Sequence, residues 1–365
     1  MNDHVSTCPS EPPCVSMRTE NLLEKDLIPD FLIRIGIRRL LAARLKEESL
    51  DRKSQFIEQL RRSPVAIATD AANAQHYEVP AEFYRAALGP RMKYSSGFWP
   101  EGVSTLEASE LAMLDLTAER ARLEDGQDVL ELGCGWGSLS LYMAVKFPRS
   151  RITAVSNSHS QKQYIDREAA RRGIHNLRII TADMRDFDIE TRFDRIVSVE
   201  MFEHMRNYAE LLRRIAGWMK PDALLFVHIF THSRFAYPFE VRDESDWMAK
   251  HFFTGGQMPS DDLLPHFQDD VALVDHWRLN GSHYQKTSEA WLQKLDRNRD
   301  AVRALFARVY GENQATRWIV RWRVFFMACA ELFGYQGGEE WLVSHYLFKH
   351  GMLSGRAANS GYSRL

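Results

Sequence analysis

The sequence predicts an α/β fold in which helices cover both faces of a mostly parallel sheet. Three observations lead to this prediction. Short β-rich runs alternate with helical stretches through the centre of the chain. One of these runs leads directly into a glycine-rich turn, and the 365 residues, 45% of them hydrophobic, are enough to bury one large core. We therefore expect a single enlarged domain with additions to its sheet.

The composition is that of an ordinary globular protein. Charged residues make up 26% of the chain and the net charge is −2, so nothing predicts nucleic-acid binding. No segment approaches the ~20 continuous apolar residues of a transmembrane helix, and residues 1–16 lack the apolar core of a signal peptide, so we expect a soluble, cytoplasmic protein. The four cysteines show neither a disulfide framework nor zinc-site spacing, and we expect no metal.

The N-terminal part of the chain is predicted to lie outside the sheet. Residues 1–20 are rich in Ser, Pro and Asn and predict a disordered leader, and residues 21–75 predict a helical extension. Apolar residues recur there at three- and four-residue steps, interleaved with arginines such as Arg34 and Arg38. Two interpretations stay open: a helix packed on the main domain with a solvated basic face, which we favour, and contact with an anionic membrane.

Five strands are predicted in the centre of the chain. They cover residues 128–132, 151–155, 177–181, 195–199 and 223–230. The helices between them lie near 137–147, 160–173 and 207–219. The main domain should span residues 76–350 and be followed by a tail at 351–365.

The remainder of the main domain is less regular. Residues 231–285 are aromatic and irregular, a helical stretch covers 288–332, and a last strand lies near 342–348. We expect residues from about 231 to 335 to form an insertion that covers a substrate.

A glycine-rich loop follows the first predicted strand, in the segment Val129-Leu130-Glu131-Leu132-Gly133-Cys134-Gly135-Trp136-Gly137. Gly133, Gly135 and Gly137 let a ligand approach the backbone, as in Rossmann-like folds. Three glycines alone do not choose between nucleotide cofactors. The choice falls on S-adenosyl-L-methionine, which carries an amine, a carboxylate and a sulfonium, because Glu131 and Asp183 are acidic and basic phosphate partners are missing. We therefore predict a Rossmann-like class I methyltransferase in which Glu131 holds the ammonium group directly or through water.

Polar residues after the second and third strands suit the rest of this cofactor. The second strand ends at Ser156-Asn157-Ser158, where a carboxylate usually holds the ribose hydroxyls. After the third strand, we expect Asp183 to accept from the adenine amino group and Met184 to cover the ring. The alternative role for Asp183 is a helix N-cap.

The fourth strand leads into an acidic cluster. Glu200, Glu203 and His204 follow it within five residues, at the edge where parallel α/β sheets bind ligands. Charged groups beside a buried strand are costly unless they are paired or solvated, so a functional cleft is the better explanation. The alternative is a helix cap combined with an ordinary ion pair.

These and other motifs together resemble the coclaurine N-methyltransferase-like branch of the cyclopropane-fatty-acyl-phospholipid synthase superfamily. The resemblance extends from about residue 21 to residue 349. Besides the glycine loop and residues 200–205, it is carried by Gln75-His76-Tyr77-Glu78-Val79-Pro80, Lys93-Tyr94-Ser95-Ser96-Gly97-Phe98-Trp99, Phe267-Gln268-Asp269-Asp270-Val271 and Val274-Asp275-His276-Trp277. It implies an S-adenosyl-L-methionine-dependent N-methyltransferase for a small amine, such as an isoquinoline-like alkaloid.

The resemblance also implies roles for individual residues. At the cofactor it implies Tyr77, Tyr94, Ser95, Ser156, Asn157 and Gln161. At the reacting amine it implies Glu78, Glu200, Glu203 and His204. An alkylammonium has a pKa of ~10 and no lone pair, so a carboxylate must hold it while a neighbouring base takes its proton. Around the acceptor we expect the aromatic residues Phe98, Phe235, Tyr237 and Trp247, each of which has an alternative role in the core.

Two other functions stay open at this stage. The superfamily also adds a methylene group across acyl-chain double bonds, with bicarbonate as the base, held by residues that match Ser96, Glu203, His228 and Tyr284. A serine at the first of these positions, where relatives have cysteine, counts against that reaction. The third hypothesis is a non-enzymatic scaffold protein, against which the intact glycines and Glu-His cluster argue. The amine and the oligomeric state, homo-oligomers included, are left open.

Overall fold

The structure of the chain, a computed structural model, describes residues 22–67, 79–241 and 247–351. The predicted leader, nearly all of the predicted tail, and the predicted site residues Tyr77 and Glu78 lie outside these ranges.

A seven-stranded sheet forms the centre of the molecule, in the order β3-β2-β1-β4-β5-β9-β8. Its strands are β1 (Asp128–Leu132), β2 (Arg151–Ser156), β3 (Leu177–Thr181), β4 (Phe193–Val199), β5 (Met219–His232), β8 (Val271–Leu279) and β9 (Trp341–His350). A separate pair consists of β6 (Tyr237–Pro238) and β7 (Gln257–Met258). Strands β1 to β5 are parallel, so their carboxyl ends meet at one edge, and β9 is antiparallel to both of its neighbours. This confirms the predicted α/β class and all five central strands.

Helices flank the sheet and extend the chain at its N-terminus. They are α1 (Asp30–Glu47), α2 (Leu50–Arg62), α3 (Ala81–Ala87), α4 (Leu106–Arg120), α5 (Ser138–Lys146), α6 (His159–Arg171), α7 (Tyr208–Trp218), α8 (Trp247–His251), α9 (Ser282–Arg297), α10 (Arg299–Tyr310) and α11 (Glu312–Phe333). The connections α5, α6 and α7 between parallel strands are those that the sequence predicts. The predicted single stretch at 288–332 is instead three helices, broken at Asn298 and at Gly311, whose φ of 91° ends α10.

The prediction for residues 231–285 was wrong in one respect. This segment contains β8, the edge strand of the main sheet, and is therefore more than a covering insertion. Only the two end residues of β8 are buried, and charged residues such as Asp275 and Arg278 interrupt its apolar pattern. Charges of this kind are typical of an edge strand, and they hide it from an analysis that searches for apolar runs.

Helix α1 packs on the main domain, as we expected, but two of its arginines form ion pairs across the interface. Arg34 binds the carboxylates of Glu289 and Glu331, and Arg38 binds Glu331 as well. The exposed side chains of this region include apolar ones, such as Leu27 and Phe31, as well as the basic Arg39. The ion pairs turn Arg34 and Arg38 toward α9 and α11. Among the described residues, no helix has both the length and the apolarity to cross a bilayer.

Replacing Arg34 with methionine should lower the free energy of unfolding by about 1–2 kcal/mol, because the part-buried Glu289 and Glu331 both lose the charged donor that they share. Urea denaturation measures this change. The control is Arg149→Met, since the exposed Arg149 pairs with Asp125 at the surface and should shift stability by less than about 0.5 kcal/mol. Equal effects of the two substitutions would contradict the assigned anchoring role.

Candidate active site

A cavity opens at the carboxyl edge of the sheet, where the loops after β1, β2, β3 and β4 meet. It brings together most of the predicted cofactor and catalytic residues. They are Tyr94, Ser95, Glu131, Gly133, Gly135, Ser156, Asn157, Gln161, Asp183, Met184, Glu200, Glu203, His204 and Tyr284.

The glycine loop forms the floor of this cavity. Gly133 and Gly135 both have left-handed φ values, 82° and 51°. A Cβ at Gly133 would lie 2.8 Å from the Met201 side chain, whereas a Cβ at Gly135 would meet no atom within 4 Å. Backbone conformation and close packing therefore explain Gly133, while Gly135 borders open space that a ligand can enter. Gly137 does not line the cavity but begins α5, against Ile165.

Glu131 is buried at the end of β1 and reaches the cavity. Its carboxylate accepts from the Ser140 hydroxyl, the one side-chain donor to it among the described residues. Burial raises the pKa of Glu131 to about 8. An acid without a basic partner in this position suits a ligand that brings its own positive charge.

The polar segment after β2 is held in place by its own hydrogen bonds. The Ser156 hydroxyl donates to Gln161 Oε1 at 2.7 Å and accepts from the Ser158 amide at 3.0 Å. Asn157 lies between them and lines the cavity. This fixed row of hydroxyl and amide groups offers hydrogen bonds without a charge, as the resemblance implies for a ribose.

Asp183 and Met184 border the same cavity after β3. The Asp183 carboxylate accepts from the Arg185 amide at 2.8 Å and pairs with its guanidinium at 2.9 Å. The carboxylate caps a turn, and no helix begins there. A helix N-cap therefore does not explain Asp183, and its role at an adenine stays a prediction.

Glu200 has a strained backbone conformation, and three groups direct hydrogen bonds at its carboxylate. Its φ of 48° is unusual for a residue with a side chain. The Ser96 amide (3.1 Å) and His228 Nε2 (3.3 Å) reach its Oε1, and the Tyr284 hydroxyl donates to its Oε2 at 2.6 Å. Burial raises the pKa of Glu200 above its usual value, and the hydrogen bonds from Tyr284 and Ser96 and the charge of Lys93 offset only part of this rise.

Glu203 contrasts with its neighbour. It is 1% exposed, and its Oε2 has no hydrogen-bond partner among the described residues. Burial, together with the nearby Glu200, raises the pKa of Glu203 well above its usual value. Of the two carboxyl groups, Glu203 therefore holds a proton more readily, and it faces the cavity ready for a cationic or hydrogen-bonding ligand. His204 lines the cavity beside it, parallel to the Phe253 ring with 5.9 Å between centroids.

Lys93 is a cavity residue to which the sequence analysis gave no role. It is 3% exposed, and its ammonium donates to the Ser96 carbonyl at 2.8 Å and to the Ser95 hydroxyl. Burial lowers its pKa to about 8, against the opposing charges of Glu200 and Glu110. The only signal in the sequence was its place in the Lys93–Trp99 motif.

A second, apolar cavity of about 770 Å³ adjoins the first. The two share Phe230, Phe253, Tyr284 and Phe325 in their walls. Its other walls come from α1, α8 and α11, and it contains the predicted residues Tyr237 and Trp247. The apolar cavity thus lies next to the cavity that Glu200 and Glu203 line.

The remaining predicted pocket residues do not line these cavities. Ser96 and His228 lie behind Glu200 as its donors. Phe98 packs on His283 with 4.7 Å between ring centroids, and Phe235 packs on His232 at 5.0 Å. The expectation that Phe98 and Phe235 surround the acceptor is therefore corrected, because both are partly buried and pack against the hydrophobic core outside these cavities.

Three of the four residues that match the bicarbonate site of the cyclopropane synthases form hydrogen bonds with Glu200. Ser96, His228 and Tyr284 all direct donors at the Glu200 carboxylate. A side-chain carboxylate thus takes the hydrogen bonds that the resemblance assigns to an exogenous anion. Among the described residues, no group of three or more potential ligands could hold a metal ion.

Known proteins resemble this chain over most of its length. A family model described as mycolic acid cyclopropane synthetase matches residues 66–339. (S)-coclaurine N-methyltransferase from Thalictrum flavum subsp. glaucum is 41% identical over 338 residues, 90% of this chain and 94% of the relative. Pavine N-methyltransferase from the same plant is 38% identical over 83% of this chain and 86% of its own. Cyclopropane-fatty-acyl-phospholipid synthase from Escherichia coli (strain K12) is 26% identical over 77% and 68%.

Solved structures give the same result. The crystal structure of a coclaurine N-methyltransferase bound to N-methylheliamine and SAH has a TM-score of 0.88 and 40% identity, and covers 91% of this chain and 99% of that chain. The cyclopropane synthase MmaA2 from Mycobacterium tuberculosis has a TM-score of 0.64 and 22% identity, and covers 79% and 100%. The second similarity concerns the fold alone.

Proposed function

Because the chain belongs to the mycolic acid cyclopropane synthetase family, in its coclaurine N-methyltransferase-like branch, we propose that its methyl acceptor is a small amine with an apolar, aromatic body, similar to an isoquinoline alkaloid. The chain is an S-adenosyl-L-methionine-dependent N-methyltransferase, and this cofactor supplies the methyl group on a cationic sulfur. The acceptor proposal rests on the two adjoining cavities and on Glu200 and Glu203, which line the first of them.

The observation that carries the proposal is Glu203 Oε2, for which the described part of the chain offers no hydrogen-bond partner. A buried carboxyl group without a donor is costly, so its place in the cavity favours a ligand that supplies an N–H group. An ammonium group fits both chemically and electrostatically, because Glu200 next to it adds negative charge. Glu203, with His204 beside it, is then the base that frees the nitrogen lone pair.

The protein's own groups also fit the cofactor. Open space at Gly135, the carboxyl group of Glu131 and the polar row at Ser156 and Asn157 surround one end of the first cavity. We expect Glu131 to hold the ammonium of the cofactor and the polar row its ribose hydroxyls. Holding the acceptor nitrogen in line with the methyl group then contributes much of the rate.

The second cavity supports an acceptor with a largely apolar body. Its walls are mostly aliphatic and aromatic, and the rings of Phe230, Phe253 and Phe325 stand where it joins the first cavity. Burying apolar area contributes roughly 25 cal/mol per Å², so a ring system would bind there more tightly than a polar amine of the same size. Aromatic faces near the nitrogen also favour the cationic product.

The hydrogen bonds to the Glu200 carboxylate argue against acyl-chain cyclopropanation. That reaction needs a base to remove a proton from the new carbon, and the donors that would hold bicarbonate are bound to Glu200 here. In addition, this chain has Ser96 where the cyclopropane synthases have a cysteine.

Transfer of a labelled methyl group tests the proposal. The purified protein is incubated with methyl-labelled S-adenosyl-L-methionine and, separately, with isoquinoline amines, short polar alkylamines and phospholipid vesicles that contain unsaturated chains. We expect label in the isoquinoline amines, at least about tenfold more than in polar alkylamines because each buried CH₂ contributes ~0.8 kcal/mol. Label in the phospholipid alone would support the cyclopropane synthase alternative, and label in the polar amines alone would reject the apolar acceptor.

The pH dependence of methyl transfer should show the raised pKa of Glu203. A base must be unprotonated to act, so activity is lost as the pH falls through its pKa. Since burial raises that pKa, kcat/KM should decline on an acid limb well above the ordinary carboxyl range. An acid limb near the usual glutamate pKa of ~4.3 in a pH series would contradict the assignment.

A further inference from the structure

A chain of four hydrogen-bonded residues crosses the sheet behind Glu200. His228 on β5 contacts the Glu200 carboxylate through Nε2 at 3.3 Å, and its Nδ1 lies 2.9 Å from Nε2 of His345 on β9. Nδ1 of His345 lies 2.9 Å from the guanidinium of Arg120, at the end of α4. His228 and His345 are direct cross-strand partners, and both are fully buried.

Arg120 fixes the direction of every hydrogen bond among these four residues. A guanidinium donates and cannot accept, so His345 Nδ1 must be an acceptor without a proton. The neutral ring then carries its proton on Nε2 and donates to His228 Nδ1. His228 in turn carries its proton on Nε2 and donates to Glu200. The order of donors is therefore Arg120, His345, His228, Glu200.

The surroundings keep both imidazoles neutral. Burial lowers the pKa of His228 and of His345 well below the usual value, and the charges of Lys93 and Arg120 act in the same direction. The Arg120 guanidinium is itself fixed over the Trp277 ring, 4.9 Å from its centroid, and Trp277 is the β8 partner of His345. Every member of the chain is thus held by a neighbouring strand or helix.

We propose that Arg120, outside the cavity, is a positioning residue that sets the tautomers of His345 and His228 and so favours the anionic form of Glu200 beside the reacting amine. Only the effect on catalysis in this proposal rests on the proposed function. The hydrogen-bond order itself is a property of the protein without ligands.

The same order assigns different roles to the two glutamates. His228 already carries a proton on the nitrogen that faces Glu200, so it cannot accept another one there. The row from Arg120 to His228 therefore acts as a fixed dipole and offers no path for a proton. We therefore assign the proton that leaves the amine to Glu203, with His204 beside it. Glu200 in its anionic form contributes negative charge next to the cationic nitrogen.

Nitrogen-15 NMR of histidine-labelled protein without ligands tests the proposal directly, because protonated and bare nitrogens of a neutral imidazole resonate far apart. The two rings are assigned by the signals lost in His228→Gln and His345→Phe. We expect both rings protonated on Nε2 in the wild-type protein. Either ring protonated on Nδ1 would overturn the proposal, whatever the enzyme activity is.

Variants at Arg120 then test its effect on the reaction. In Arg120→Met, part of the His228 population should shift its proton to Nδ1, and Glu200 should protonate to donate to the bare Nε2. The groups that face Glu200 are otherwise unchanged: Lys93, Tyr284, Glu203 and the Ser96 amide. The acid limb of kcat/KM, which we assign to Glu203, should move down by about one pH unit, because a neutral Glu200 no longer raises the pKa of Glu203. At neutral pH kcat/KM should fall about tenfold, because the cationic nitrogen loses the negative charge of Glu200.

Two further variants separate positioning from a general structural effect. Arg120→Lys keeps a cationic donor and should retain the wild-type tautomers and acid limb. Arg149→Met removes an exposed arginine and should change neither. If Arg120→Met leaves tautomers and acid limb unchanged, or if Arg120→Lys behaves like Arg120→Met with a normal unfolding midpoint, the proposal is wrong. If no acceptor is methylated but the wild-type tautomers are as expected, the proposed function fails and the hydrogen-bond order stands.

Discussion

Replacing Glu203 with glutamine is expected to lower kcat about a thousandfold, the middle of the range for loss of a general base. Glutamine has nearly the same shape but accepts no proton, so the amine stays protonated and has no lone pair for the methyl group. Cofactor affinity should change less than threefold, or about 0.7 kcal/mol, because we assign Glu203 to the acceptor nitrogen. Steady-state kinetics with the isoquinoline amine and calorimetry with the cofactor measure the two effects.

Glu210→Gln is the matched control for this substitution. Glu210 lies nearby in α7, where it pairs with Arg213 at the surface. It should retain wild-type kcat. Equal losses of cofactor affinity and turnover in Glu203→Gln would place this side chain at the cofactor and would contradict its role as a base.

Replacing Glu131 with glutamine is expected to weaken cofactor binding about a hundredfold, or ~2.7 kcal/mol, because a buried ammonium would lose its charged partner. The pKa of about 8 for Glu131 in the free protein adds a second, independent signature. At pH 7 this group is protonated, and it must release its proton to pair with an ammonium. Cofactor affinity should therefore rise with pH, roughly tenfold per unit up to pH 8.

Calorimetry in buffers of different ionisation enthalpy measures that proton release. Wild-type protein should release close to one proton more than Glu131→Gln at pH 7. The control is Glu124→Gln, which neutralises an exposed glutamate. This variant should bind the cofactor like the wild type. Wild-type affinity that does not change between pH 6 and pH 8 would refute the pairing of Glu131 with the cofactor's ammonium.

The local sequence was enough to predict the sheet and the floor of the site. Strand β1 and the glycine loop are adjacent in the chain, and the ends of parallel strands must meet at one edge. For this reason Glu131, Asp183 and Glu200 could be placed together without a structure. The glycines at 133 and 135 carried a similar signal, because a positive φ leaves few other choices.

Features that depend on long-range packing could not be predicted in this way. The donors to Glu200 come from three distant segments, at Ser96, His228 and Tyr284. His345 was visible as a polar residue within an apolar strand, a sign of a buried partner, but its partner Arg120 is 225 residues away. The apolar cavity likewise has walls from distant segments, among them α1 and α11, and Phe98 and Phe235 pack on His283 and His232 instead of lining it.

A crystal structure with S-adenosylhomocysteine and an isoquinoline amine tests the central claim most directly. We expect the sulfur of the bound product above the glycine loop, between Glu131 and Glu200, and the amine nitrogen within hydrogen-bond reach, roughly 3 Å, of the Glu203 carboxyl group. The ring system should occupy the apolar cavity behind Phe253. An amine bound elsewhere, or a Glu203 side chain turned away from a nitrogen that faces the sulfur, would contradict the account.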